Sequence, residues 1–241
     1  MPIQSAWSRF LVEGFVIVAS ILLAFAIDAA WDQRQSDARR QELIHGLILD
    51  FESLAARSEA AFEHAEGLAR QNRALLELIA SGGSADITEL NELMGSFFAN
   101  PGRLRTTLPV LGSAIGSDGL GSIRDPGFLQ ALADFQYQMD GYNRSAEISG
   151  DLYFMEFAPY FRQKFGSAAV VVGNPESNGE WRYPYPPGFE LTLDEIIAEI
   201  EKPESYGRLE HISNVNSNAR NWIAGVGRSA SEVAQALRRL E

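Results

Sequence analysis

The chain has 241 residues, no cysteine and a formal charge of −12. That length accommodates one domain and a membrane segment. The absence of cysteine excludes disulfides, thiolate metal sites and a cysteine nucleophile while leaving the redox compartment open, and the negative charge, with no local cluster of Lys or Arg, argues against nucleic acid as a partner.

Residues 1–9 form a short tail, and 10–31 read as a transmembrane anchor. From Phe10 to Ile27 only Glu13, Gly14 and Ser20 interrupt an apolar run. As a helix this run spans about 27 Å, close to the thickness of a bilayer's hydrocarbon core. Trp7 and Trp31 flank it at the spacing of the two interfacial aromatic belts. Ala24-Phe25-Ala26 also fits a signal-peptide cleavage pattern, but Glu13 falls inside what would be its apolar region, which weighs against cleavage. At 100° per residue, Glu13, Ile17, Ser20, Ala24 and Asp28 share one stripe. Small and hydroxyl side chains there suit a neighbouring helix better than lipid, because Ser20-x-x-x-Ala24 permits close backbone approach. A second reading stands beside this one: Glu13 snorkels to the headgroups and pairs with Arg9.

Residues 32–42, DQRQSDARRQE, are polar on every side and contain neither Gly nor Pro, so the membrane helix is expected to continue through them as a solvated neck. Residues 43–241 form the body. An amphipathic repeat from Leu43 to Ile79 predicts a long helix that stops at Ser81-Gly82-Gly83. Asp86 and Glu89 resemble a capping pair for a second helix through Phe98, ended by Asn100-Pro101-Gly102. Pro109 opens a short helix with Leu111 and Ile115 on one side, ending near Gly119. Asp125-Pro126 starts a long helix to about Phe165, with Phe128, Leu129, Leu132, Phe135, Met139, Tyr142, Ile148, Leu152, Met155 and Tyr160 as its apolar positions and an irregularity at Pro159. Residues 166–192 read as a loop dense in turn formers, in which AAVVVG could pair briefly as a strand. Helix resumes from Leu193 to about Glu201, and Pro203 opens the last one, to Leu240. The predicted fold class is all-α: a transmembrane helix continuing into an elongated helical bundle with one Pro- and aromatic-rich loop.

The stretches RFLVEGFVIVASILLAFAIDAAWDQRQ, ELIHGLILDFE and LGSAIGSDGLGSIRDPGFLQALADFQY together resemble a large bacterial family of unknown function. Its members share an N-terminal membrane helix ending in an acid and a Trp, here Asp28 and Trp31, a long helix after it, and a central Gly-ended segment followed by a helix starting near Asp or Asn. The similarity covers Arg9 to about Tyr142. It implies an anchored helical domain with no established activity, so no catalytic residue carries over; the 166–192 insert departs from the pattern.

Glu42-x-x-His45 has the spacing of a carboxylate-bridged metal ligand pair, but such sites need a second pair, and neither His64 nor His211 has a Glu three residues before it. A solvated pair is the better reading. Gly112, Gly116, Gly119 and Gly121 lack the strand and the Lys of a phosphate cradle, and close helix packing with a Gly C-cap explains them better. Ser113, Ser117 and Ser122 lack a nucleophile elbow. Trp181, Tyr183, Tyr185 and Phe189, set among prolines, either fold back over the end of the bundle or form a rigid contact loop.

The expected function is that of a non-enzymatic single-pass protein of the bacterial inner membrane, without metal or cofactor. It would be an accessory or scaffolding subunit that meets lipid, and other membrane subunits through the anchor and the 166–192 loop; respiratory and photosynthetic assemblies are candidates by context. A membrane-anchored ligand-binding or sensor domain is the alternative. For orientation, arginine counting places the body in the cytoplasm, whereas the short basic tail before an apolar run resembles an uncleaved export signal and places it in the periplasm, the side preferred here.

Overall fold

One helix, α1 (Gln4–Ser81), runs without interruption through the apolar stretch, the polar neck and into the body. In the computed structural model the described residues are 4–82, 89, 90, 93, 94, 97, 104–117, 119–165 and 193–241, with side chains from Phe15 onward except those of 16, 17, 165 and 193. Its 78 residues extend about 117 Å at 1.5 Å each. No proline falls inside it. It stops where Gly82 takes a φ of +59°, the left-handed conformation that glycine adopts without steric cost, and the Gly82 N–H closes the last turn on the Ile79 carbonyl at 3.2 Å.

Every other regular element among the described residues is also helical. Helix α2 (Pro109–Gly116) starts against the flank of α1, where one oxygen of Asp50 accepts from the N–H groups of Val110 and Leu111 at 2.7 and 3.1 Å. A carboxylate borrowed from another helix thus satisfies two orphan donors and complements the helix dipole. A 3₁₀ turn (Gly119–Ser122) leads to α3 (Pro126–Asp151), capped as expected by Asp125, which accepts from the Phe128 N–H at 2.8 Å. Helix α4 (Ala158–Phe165), α5 (Leu193–Ile200) and α6 (Pro203–Arg238) complete the chain.

The irregularity expected at Pro159 is a π turn one step earlier, Leu152–Phe157, where the Ala158 N–H reaches back five residues to the Tyr153 carbonyl. Pro159 has no N–H, and its ring crowds the carbonyl of Met155; widening the preceding turn relieves that clash without breaking the helix.

Helix α6 is the centre of the body, packed along α1 on one side and α3 on the other. Its register with α1 is fixed by ion pairs, Arg238 with Glu52 and Arg220 with Glu66 at 2.6 Å. Its register with α3 is fixed by close approach: a Cβ at Gly141 would lie 2.3 Å from the Trp222 ring, and one at Gly225 would lie 2.2 Å from Gln138 Oε1. Against α1, a Cβ at Gly227 would lie 2.8 Å from Ser58 Cβ. Glycine is needed against the Trp222 ring and Ser58, while the flexible end of Gln138 can turn away from a Cβ at Gly225. Gly112 and Gly116 face open space, so close packing does not explain them.

The buried residues form two clusters. The proximal core joins Ile44, Leu47, Phe51 and Leu54 of α1 to Phe128 and Phe135 of α3 and to Ile223, Val226, Val233 and Leu237 of α6, with Phe51 edge-on to Phe135 at 5.0 Å. The distal core is built from Leu75, Leu90, Met94, Phe97, Phe157, Phe161, Ile200, Leu209 and Ile212. Between them lie the buried polar residues Asn72, Ser145, Ser149, Ser213 and Asn216, which the helix registers bring to one level. Most predicted core positions hold. Leu129, Ile148, Met155 and Ile115, counted as inward by periodicity, are exposed instead; α2 and α3 each bury a narrower face than the repeat implied. The proposed cap at Asp86, the stop at residues 100–102 and the strand near Val170 lie outside the described residues.

Candidate interaction surfaces

Two parts of the molecule offer surfaces not used by its own packing. The first is the start of α1. Phe15, Val18, Ile21, Leu22, Leu23, Phe25, Ile27 and Trp31 are each at least half exposed, from 50% at Ile21 to 75% at Phe15. At 100° per residue they point in all directions around the axis. No described part of the chain covers them, and the first buried side chain along α1 among the described ones is Ile44. Of the predicted partner face, Ser20, Ala24 and Asp28 are exposed, like the other described side chains of this stretch, while the side chains of Glu13 and Ile17 lie outside the described ones. Among the described residues no helix is long and apolar enough to cross a membrane; the side chains of 10–14, 16 and 17, seven of the 18 residues from Phe10 to Ile27, lie outside the described ones. In the neck, Gln33 donates to Asp37 one turn on at 3.0 Å, keeping the solvated helix regular.

The second surface is the distal end, at the base of the 166–192 segment. Trp181, Tyr183, Tyr185 and Phe189 lie in that segment and outside the described residues. Among the described residues at this end is a polar network that sequence reading missed. The Arg208 guanidinium lies 4.4 Å from the centre of the Tyr160 ring and pairs with Glu204 at 3.5 Å and Glu156 at 4.0 Å. Tyr160 shares a hydrogen bond with Ser205 at 3.0 Å, and the Ser205 hydroxyl lies 3.3 Å from Glu199. Glu199 in turn meets Lys202 at 2.5 Å and Lys164 at 3.5 Å. Lys164 and Lys202 are the only lysines of the sequence, and both converge on one carboxylate. Together they tie α4, which precedes the 166–192 segment, to α5 and α6, which follow it.

The electrostatics follow from this geometry. The hydrogen bond from Lys202, supported by Lys164, holds the Glu199 carboxyl below its ordinary range, against the opposing effect of burial. The same bond raises the Lys202 ammonium above its usual value. Burial pushes the Tyr153 phenol up, partly offset by Arg162.

Beside the network is a cleft of about 400 Å³ between the π turn and the start of α6, lined by Leu152, Glu156, Phe157, Glu204, Arg208 and His211. The Arg208 charge is already matched by two carboxylates and a ring face, and Ser205 is fully buried. The arrangement binds segments of the chain together; it offers neither an open cationic site nor an accessible nucleophile. His45 pairs at 3.2 Å with Glu241 at the other end of the body, not with a metal-ligand set. Among the described residues no three acids or histidines converge as ion ligands.

The only sequence signals for the distal network were the placement of both lysines at the flanks of the insert and the Pro159 disruption. Compared with protein families, curated proteins and solved structures, the chain matches none.

Proposed function

We propose that the chain is a non-enzymatic, single-pass protein of the bacterial inner membrane, anchored by residues 10–31 and serving as an accessory or scaffolding subunit of a larger membrane assembly. The observation that carries this reading is the all-round exposure of eight large apolar side chains between Phe15 and Trp31, on a helix that continues directly into the body. A helix apolar on all sides belongs in lipid or inside a protein. Leaving eight such side chains in water forfeits on the order of 10 kcal/mol, a large fraction of what holds a domain together. Lipid around most of the helix, with a partner helix along the Ser20, Ala24 and Asp28 stripe, accounts for both the apolar and the small residues. The neck then holds the body roughly 16 Å from the bilayer, on the periplasmic side. Respiratory and photosynthetic complexes are the candidate assemblies.

Alkaline carbonate extraction of native membranes tests the anchor, and purification in mild detergent tests the partner. The chain is expected to stay in the pellet and to bring other subunits with it. Ala24→Leu should keep the anchor and weaken the association, whereas Phe15→Leu, on the opposite face, should leave both intact. Release of the chain by carbonate rejects the anchor, and equal recovery of partners with both variants rejects the stripe. The second reading, a sensor domain, draws its support from the distal cleft; its weakness is that Arg208, the cation lining that cleft, is already paired with Glu204 and Glu156.

A further inference from the structure

The ion pairs along the α1–α6 seam skip a rung. Glu52, Glu59 and Glu66 are spaced seven apart on α1, and the outer two pair within the chain, with Arg238 and Arg220. The antiparallel register sets Arg228 level with Glu59, yet these two exposed side chains make no ion pair with each other. Both stand on the rim of a groove of about 300 Å³ between α1 and α6, floored by Ala55, Ser58, Ala224 and Gly227. Ser58 is 1% exposed, and its hydroxyl oxygen is buried without a hydrogen-bond partner. The floor consists of small residues because Gly227 and Ser58 bring the two backbones together.

We propose that this groove is the interface between two copies of the chain, related by a two-fold axis parallel to the body. The parallel sense rests on the anchoring reading above, since two chains in one bilayer present α1 in the same direction. A two-fold along that axis sets α1 of each copy opposite α6 of the other at the same height. Glu59 of one chain then meets Arg228 of its neighbour, and the pairing occurs twice. The incoming guanidinium can meet both oxygens of the exposed Glu59 carboxylate, the fork geometry that arginine supplies and lysine does not. The small floor lets the neighbouring helix approach closely, as self-complementary two-fold contacts require. Confinement to one membrane raises the effective concentration of the second copy, so an interface smaller than the roughly 1,600 Å² of a stable soluble complex suffices.

The test is charge reversal in the full chain, extracted in mild detergent and weighed by native mass spectrometry. The unaltered chain should give a dimer. Glu59→Arg and Arg228→Glu should each lower the dimer-to-monomer ratio at least tenfold, and the two reversals together should restore it. Glu77→Arg, at the far end of α1, should leave the ratio unchanged, and circular dichroism on each variant checks that helix content is kept. A monomeric unaltered chain, single reversals without effect, or a double reversal that stays monomeric overturns the interface. Carbonate extraction of the same membranes separates the two ideas: a chain that resists extraction while its single reversals remain dimeric keeps its anchor and loses this interface, and a chain released by carbonate loses the parallel arrangement altogether.

Discussion

The proximal and distal halves of the body are held by different means although α1 and α6 run through both. The proximal core is aliphatic with a few aromatics, lies between three long helices, and adds to the Arg238–Glu52 and Arg220–Glu66 pairs glycines that let the helices pack closely. The distal core is rich in aromatics, with Phe157 in contact with Phe161 at 4.7 Å and Phe97 at 6.3 Å, and it is closed by short helices tied through Glu199, Ser205 and Tyr160. The layer of Asn72, Ser145, Ser149, Ser213 and Asn216 separates them. Backbone contact fixes a register at every pH, whereas ion pairs and hydroxyls fix it conditionally. The half nearer the start of α1 therefore has a contribution that pH does not alter, and the distal half is the one expected to respond to it.

The largest effect that separates the halves comes from emptying each core in turn. Phe51 and Phe161 are both fully buried, and truncation of either to alanine should cost about 3–5 kcal/mol locally. Phe51→Ala should lower the unfolding midpoint of the whole body, because its neighbours belong to all three long helices. Phe161→Ala should leave the proximal amides protected in hydrogen exchange while the distal ones exchange first, as independent cooperative units do. Uniform loss of protection in both variants would show that the polar layer does not divide the body.

Next is the α3–α6 crossing. Gly141→Ala places a methyl group where the Trp222 ring stands, and that ring has Tyr137 against it at 6.1 Å. Overpacking of this kind costs about 1–3 kcal/mol. Thermal denaturation should register it, and the near-ultraviolet signal of Trp222 should change with it. An unchanged midpoint would mean that the helices yield freely at this point and that glycine there sets no register.

The polar layer offers an effect of opposite sign. Ser145 and Ser149 are at least nine-tenths buried, and their hydroxyls have no hydrogen-bond partner. Replacing them with alanine removes two buried polar groups at little cost in volume, so Ser145→Ala and Ser149→Ala should each raise stability, by about 1 kcal/mol. The gain should appear as slower exchange in the distal half, since the boundary between the cores becomes apolar. A loss of stability would mean that ordered water satisfies these hydroxyls.

How much of this was legible in the sequence differs between the halves for physical reasons. The long helices were visible because their apolar positions recur at helical spacing, and the stops at Gly82 and starts at Pro126 and Pro203 follow from backbone restrictions that a single residue imposes. Periodicity tells which face is apolar but not how wide a face a neighbour covers, so Leu129, Ile148 and Met155 were assigned to the inside and are not there. Asp50, Glu199 and Arg208 gave no local signal. Their partners stand 60, 3 and 4 residues away respectively, and only the first distance is of the kind that folding alone reveals; the other two looked like ordinary surface pairs until Tyr160 and Ser205 closed around them. Glycines misled most. Gly112 and Gly116 drew notice through their spacing, whereas Gly141 and Gly227, where a Cβ would meet the Trp222 ring and Ser58, lie inside ordinary helical runs.

The smallest effect concerns Glu199, and it tests whether the distal half is conditionally held. Because the folded carboxyl is held below 4.5, its contribution to stability is fully present above that value and is lost as the pH falls through the lowered folded one. On the alkaline side, Lys202 is raised above 10.5 and Tyr153 above 10.0, so what they contribute is present below those values and fades as pH rises through the raised ones. The distal half should therefore loosen at both extremes, with distal amides exchanging ahead of proximal ones at pH 4 and below. Glu199→Gln isolates the centre of this network. Removing the carboxylate charge should return Lys202 toward its ordinary acidity and speed its acylation at pH 9, by no more than about tenfold, since one pKa unit is a tenfold change in the neutral fraction. Because the sequence has no lysine besides Lys164 and Lys202, peptide mass spectrometry reads the reaction without interference. Lys164 should gain less, as it lies 3.5 Å from the carboxylate against 2.5 Å for Lys202. Equal rates in the variant and the unaltered chain would mean that exposed Lys202 is screened by water, and that Tyr160, Ser205 and the aromatic core hold the distal end without help from charge.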